Sequence, residues 1–374
     1  MHVPYRLQRA FRVQTEPGIV LAMAVATATF VATPLLLSPL ADEFGVGTGT
    51  VALFSAAQLA CFVLGSSVTG RITTPSRRVF VGSLAVLVVA NLASAVSPNL
   101  ATLVGLRAVV GLALGTLTWL AYSQVFGDAG RTGDLTVVGP IAAVVASPVH
   151  GVVIDSLGPR AVFLVLAMLS LVPLTRLPAV HVPPVTERSS RNRAVKAALV
   201  VIGALTFATL GGSAVFVFIG AIGQEQYGLS AFTMSLVFSA NAAASIPSAR
   251  YRGRRPFAGA FYVITAACAL AVGFLDDPVA IWVIMIVWGA AFWAATPGAY
   301  TILAERSRFP TERAGDAQAA MAAGRAIGPL LGGALVSAGS FEALSVVGAS
   351  LVLVAAVTIV AVELLIPPVV EPPP

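Results

Sequence analysis

Twelve times along this chain an apolar run close to 20 residues long ends at a charge, a proline or a glycine. About 20 apolar residues are what a helix needs to cross the hydrocarbon of a bilayer. The runs lie near 18–41, 49–69, 79–97, 99–122, 136–154, 160–179, 198–222, 230–248, 256–274, 278–303, 317–338 and 342–366. A single run of this kind can be a buried core helix, but a dozen cannot. Only 10% of the 374 residues are charged, against about 25% in a soluble domain. So few charges cannot screen so much apolar surface, and the solvent must be lipid. The expected fold class is therefore an all-α membrane protein of twelve transmembrane helices. The first run is longer than the apolar core of a signal peptide, so it reads as an uncleaved first span.

The longest polar stretch, RLPAVHVPPVTERSSRNRAVK (176–196), divides the runs six and six. This predicts an N-terminal six-helix bundle over 1–179, a linker over 180–197 and a C-terminal bundle over 198–374. Basic residues set orientation, because cytoplasmic loops hold the excess of Lys and Arg. With the N-terminus inside, one side collects Arg6, Arg9, Arg12, Arg71, Arg77, Arg78, Arg131, Arg176, Arg188, Arg191, Arg193, Lys196, Arg250, Arg252, Arg254, Arg255, Arg306, Arg308 and Arg313, which is 19 of the 22 basic residues. Both termini are then expected in the cytoplasm. The halves also repeat. FGVGTGTVALFSAAQ (44–58) is similar to YGLSAFTMSLVFSAN (227–241), Arg77-Arg78 recurs as Arg254-Arg255, and Pro148 recurs as Pro329. Two six-helix halves of one orientation are related by an axis along the membrane normal.

Several function classes fall away. The formal charge is +6, but the basic residues sit in small clusters between apolar runs, without the single basic face that nucleic acid requires. Cys61 and Cys268 lie far apart inside apolar runs and have neither a disulfide framework nor metal-ligand spacing. No G-x-x-x-x-G-K-[ST] or H-E-x-x-H occurs, so neither a phosphate-cradling loop nor a zinc helix is expected. No cofactor, metal or enzymatic activity is expected.

Arg107 is the residue that asks for an explanation. It stands at the centre of LVGLRAVVGLALG (103–115), where an arginine costs on the order of 3 kcal/mol to insert. It must face protein or a water-filled cavity. Gly111 and Gly115 lie four and eight residues on, about 40° and 80° round the helix, where a neighbouring helix can approach closely. Two readings are open: a role in coupling or substrate binding, or a pin that joins helices.

With Leu103, Arg107, Gly111 and Gly115 the chain resembles the major facilitator superfamily, whose fourth helix carries this pattern. The resemblance extends over essentially the whole chain and implies twelve helices, two similar halves and alternating access. In that family the arginine is linked to proton coupling. The family's loop between helices 2 and 3 is matched by Gly65, Arg71, Arg77 and Arg78, but its acid is missing, as it is beside Arg254 and Arg255. The hinge motif of the proton-driven exporters is matched in part in helix 5, by Ser147, Pro148 and Gly151, with His150 in place of one glycine. The copy in helix 11 is fuller: Gly328, Pro329, Gly332 and Gly333, preceded by Arg325. His150 reads either as a proton carrier or as a structural group. Asp42 and Glu43 read as surface acids just outside helix 1, and Glu363 as interfacial.

The resemblance also implies that helices 1, 4, 7 and 10 line the central path. That makes Phe30, Thr33, Trp119, Phe216, Trp288 and Trp293 cavity candidates, with Gln58 and Asn241 as equivalents under the repeat and Arg325 beside them. The expected function is proton-coupled efflux of a small drug-like or sugar-like molecule from the bacterial cytoplasm across the inner membrane, by a monomer. A facilitator or importer of the same fold, and a non-transporting receptor, are the alternatives.

Overall fold

The computed structural model describes residues 15–125, 129–180, 192–250, 257–275 and 277–369. Among them twelve helices follow one another, and no strand occurs. They are α1 (Pro17–Phe44), α2 (Thr48–Ile72), α3 (Arg77–Ala95), α4 (Leu100–Val125), α5 (Ala129–Leu157) and α6 (Pro159–Leu171), which tightens into a 3₁₀ turn over Val172–Arg176. After the linker come α7 in two pieces (Lys196–Phe216 and Ile219–Glu225), α8 (Ala231–Arg250), α9 (Ala258–Ala271), α10 (Pro278–Glu305), α11 (Pro310–Ser337) and α12 (Phe341–Leu365). Ten of these spans are long and apolar enough to cross a membrane. Helix α9 has 14 described residues, and α8 carries serines and an asparagine that dilute its hydropathy.

Local chemistry sets the boundaries. Proline opens α1, α6, α10 and α11, where its missing N–H costs nothing. The side chains of Ser76, Asp277 and Ser340 accept backbone N–H groups at the starts of α3, α10 and α12. Gly45 ends α1 with φ +64° and Gly158 joins α5 to α6 with φ +85°, a backbone region that favours glycine.

Three boundaries correct the sequence reading. The apolar run places the start of the fifth helix at 136, but the backbone of α5 is helical from Ala129. Helix α11 starts at Pro310 rather than 317, and α7 is interrupted at Val217 and Phe218 rather than continuous. Residues 181–191, most of the expected linker, are outside the described residues.

Helix α4 packs on both α2 and α3, as α10 does on both α8 and α9. Between the groups, α2 lies against α11 and α5 against α8. The apolar core follows the same plan. One cluster is shared by both halves and includes Leu35, Leu37, Phe163, Ile219, Met234, Val237 and Met285. These belong to the end of the molecule where α1 finishes and α8 begins, called the far end below. Toward the end that holds the linker the core divides. One cluster contains Ala22, Phe80, Leu87 and Leu117 of the first half; another contains Ala198, Tyr262, Ala299 and Ile359 of the second. The halves thus meet at the far end and part toward the linker end.

Candidate functional site

Arg107 is 1% exposed, and each of its guanidinium nitrogens donates to a neutral group. Nε and Nη2 donate to Gln58 Oε1 at 2.9 and 2.7 Å, and Nη1 donates to Asn91 Oδ1 at 2.8 Å. The Phe163 ring lies 5.2 Å from the guanidinium carbon, within cation–π range. A buried charge is tolerable when it is hydrogen-bonded on every side, and here amides from α2 and α3 do that work. The glycines below serve the same contact. A Cβ on Gly111 would collide with the Gln58 carbonyl and one on Gly115 with the Phe62 carbonyl, so α2 and α4 touch backbone to backbone. The sequence singled out Arg107, Gln58, Gly111 and Gly115 and missed Asn91. Its signal was present: a lone amide within the apolar run of helix 3.

The second half holds a cavity of about 200 Å³. Thr209, Ser213 and Phe216 of α7, Asn241 of α8, Trp288, Phe292 and Trp293 of α10 and Arg325 of α11 line it. Five of these were candidates from the sequence: Phe216, Asn241, Trp288, Trp293 and Arg325. Phe216 stacks against Phe238 at 5.5 Å and Trp288 at 5.9 Å. Asn241 Nδ2 donates to the Met285 carbonyl at 2.7 Å, and a Cβ on Gly289 would meet the Asn241 carbonyl. Gly111 on Gln58 in one half is thus repeated as Gly289 on Asn241 in the other, but Met285 stands where Arg107 would fall.

The remaining candidates lie elsewhere. Trp119 lines a different cavity, of about 350 Å³, with Ser66, Thr118, Tyr122 and Ser123. Phe30 packs edge-on against Phe62 at 5.2 Å, and Thr33 is buried. Gln58 is committed to Arg107.

The far-end contact between halves is made twice. A Cβ on Gly151 would strike Phe232 and Ser235 of α8, and one on Gly333 would strike the Gly49 carbonyl of α2. Gly49 and Phe232 are 183 residues apart, the offset of the sequence repeat. Proline contributes directly. Pro148 lacks the N–H that would bond the Val144 carbonyl, and Ser239 Oγ of α8 donates to that carbonyl at 2.8 Å. The Asp155 carboxylate accepts the Ala231 and Phe232 N–H groups at 3.2 and 3.0 Å, capping α8 from the other half. Thr48 Oγ1 donates to Glu225 Oε1 at 2.6 Å.

The sequence profile of the Major Facilitator Superfamily matches residues 18–325. The chain belongs to that family. Two solved structures of a bacterial homolog to the human lysosomal transporter Spinster share its fold. The inward-facing, occupied form is 12% identical, covers 97% of this chain and 98% of its own, and gives a TM-score of 0.73. The inward-facing, unoccupied form is 13% identical, covers 97% and 96%, and gives 0.65. No curated protein sequence matches the chain.

The superfamily motifs take definite places in this member. Gly65 is not in the loop between helices 2 and 3. It lies inside α2, where a Cβ would hit the Leu112 carbonyl of α4. Arg71 is in the last turn of α2, and Arg77 and Arg78 open α3. All three are exposed, with no ion pair among the described residues. Arg254 and Arg255 lie outside the described residues. Pro148 and Pro329 both sit within helices. Gly328 faces Ser213, and Gly332 faces Ala214 and Phe218, both on α7. His150 is 0% exposed, and neither ring nitrogen has a hydrogen-bond partner. Asp42 and Glu43 are exposed, and Glu43 pairs with Arg160. Glu363 accepts the Phe257 N–H at 3.3 Å.

Proposed function

We propose that this major facilitator is a secondary transporter that exports a small organic solute in exchange for protons. Solute binds in the cavity walled by Phe216, Trp288, Phe292 and Trp293, and the halves, 1–179 and 198–374, rock about the far-end contact. The linker end and both termini face the cytoplasm, the membrane is the bacterial inner membrane, and the working unit is a monomer. The observation that carries this reading is the divided core. Two halves that share one core at one end and keep separate cores toward the other fit one of the two states that alternating access requires. The Spinster homolog that this fold matches was captured inward-facing, which supports assigning the linker end to the cytoplasm.

His150 is the proton carrier in this reading. It is buried, unpartnered and placed between Pro148 and Gly151, where α5 meets α8. A second reading, an uncoupled facilitator, draws support from the acids: among the described residues those with described side chains lie at or near helix ends, none midway through a span. Purified protein in liposomes under an imposed pH gradient separates the two. Solute accumulation that follows the gradient and becomes gradient-independent in His150→Gln supports coupled exchange. Flux indifferent to the gradient in the native chain leaves the facilitator. No flux of any solute from folded protein sinks both.

A further inference from the structure

We propose that the cavity of the second half selects an organic anion, a carboxylate or similar monoanion on a ring-sized apolar body, with Arg325 binding its charge. This rests on the reading above, that the cavity is a solute site.

Arg325 stands near the middle of α11 and lines the cavity. It makes no hydrogen bond or ion pair with any described residue. Among the described residues the buried arginines are all held. Arg107 has Gln58 and Asn91, Arg306 has the Ile366 and Glu363 carbonyls, and Arg313 has Asp316 at 2.6 Å. The charged groups on every element facing Arg325 are few. Among the described residues no acid lines the cavity, and the ionisable side chains within electrostatic reach are the phenols Tyr122, Tyr262 and Tyr300. These are neutral at physiological pH. Arg325 is exposed to the cavity among aromatic walls, and its guanidinium is free to form charge-assisted hydrogen bonds with an anion brought beside it.

The other polar groups do not compete for that role. Thr209 Oγ1 donates to the Leu205 carbonyl at 2.9 Å and Ser213 Oγ to the Leu210 carbonyl at 3.3 Å. Asn241 spends its amide on Met285. Arg325 is therefore the charged donor of the lining, set beside the rings of Phe216, Trp288, Phe292 and Trp293. Size agrees: an apolar cavity of about 150 Å³ holds a benzene, and this one is about 200 Å³. Tyr122 belongs to α4 of the first half, so the groups within electrostatic reach of Arg325 come from both halves.

The test is ligand-observed saturation-transfer NMR on the full chain in nanodiscs, against empty nanodiscs. Benzoate, benzamide and benzylammonium are the probes, matched in shape and differing in charge. Benzoate should bind about tenfold tighter than benzamide, and benzylammonium should not bind. Arg325→Gln should bring benzoate down to the benzamide level and leave benzamide unchanged, which also shows that the variant is folded. Arg325→Lys should keep the preference. Benzamide or benzylammonium binding as well as benzoate, an unchanged Arg325→Gln, or absence of benzoate binding at millimolar concentration overturns the proposal. So does equal displacement of benzoate by chloride or phosphate, since the rings would then contribute nothing. Flux is read separately in liposomes. Benzoate that binds but is not moved counts against the transporter and leaves the site standing. A neutral or cationic solute moved in its place supports the transporter and overturns the site.

Discussion

Two arginines inside spanning helices have opposite circumstances. Arg107 is sealed, with an acceptor for each guanidinium nitrogen, while Arg325 faces a cavity without a partner. Arg107 therefore acts as a clamp among α2, α3 and α4. Arg107→Ala leaves Gln58 Oε1 and Asn91 Oδ1 buried and unpaired, at about 1–3 kcal/mol each. An equilibrium unfolding titration in detergent should show a loss of about 2–5 kcal/mol. The triple variant Arg107→Met, Gln58→Leu, Asn91→Leu should recover much of it, because removing all the partners leaves nothing unpaired. A triple variant no more stable than Arg107→Ala would count against the clamp. Arg107 was legible in the sequence because one charge in an apolar run has few explanations. Its partners come from helices 49 and 16 residues away, and no local pattern records such a pairing. Trp119 was placed on the right helix, but only packing reveals which of two cavities an aromatic residue faces.

At the scale of elements, α5 and α11 each pack on a helix of the other half. The carbonyl that Pro148 leaves free is claimed by Ser239 across the interface. Under the repeat the residue matching Ser239 is Ala56, which has no donor, so the two crossings are not equal. Ser239→Ala and Asp155→Ala should each weaken the far-end contact by about 1 kcal/mol, about a fivefold shift in population toward the far-end-open state. Gly333→Val should go further, since its side chain would occupy the space of the Gly49 carbonyl. Spin-label distances between the far ends of α5 and α8, measured without native Cys61 and Cys268, should lengthen in all three. Unchanged distances would mean that the apolar cluster alone holds the halves. Helix number and order were legible because each span is long and apolar. The start of α5 was not. Its Gly130, Gly133 and Asp134 favour a turn, and the helical backbone there departs from that local preference.

Across the whole molecule, cohesion is distributed unevenly. Leu35, Leu37, Ile219, Met234 and Val237 are fully buried where the halves meet, whereas toward the linker end each half keeps its own core. Opening the far end would bring those side chains into water, and hydrating apolar surface raises heat capacity. The balance between the two states should therefore bend with temperature rather than follow a straight van't Hoff line. Apolar association weakens on cooling. Spin-label populations recorded from near freezing to about 40 °C should accordingly show the far-end-open state gaining in the cold. A linear plot would assign the closure to Asp155, Thr48 and Ser239 instead. With the halves rocking as proposed, the shared apolar core would make the chain a thermometer of its own conformational balance, and its rate of turnover would carry the curvature of hydrophobic hydration.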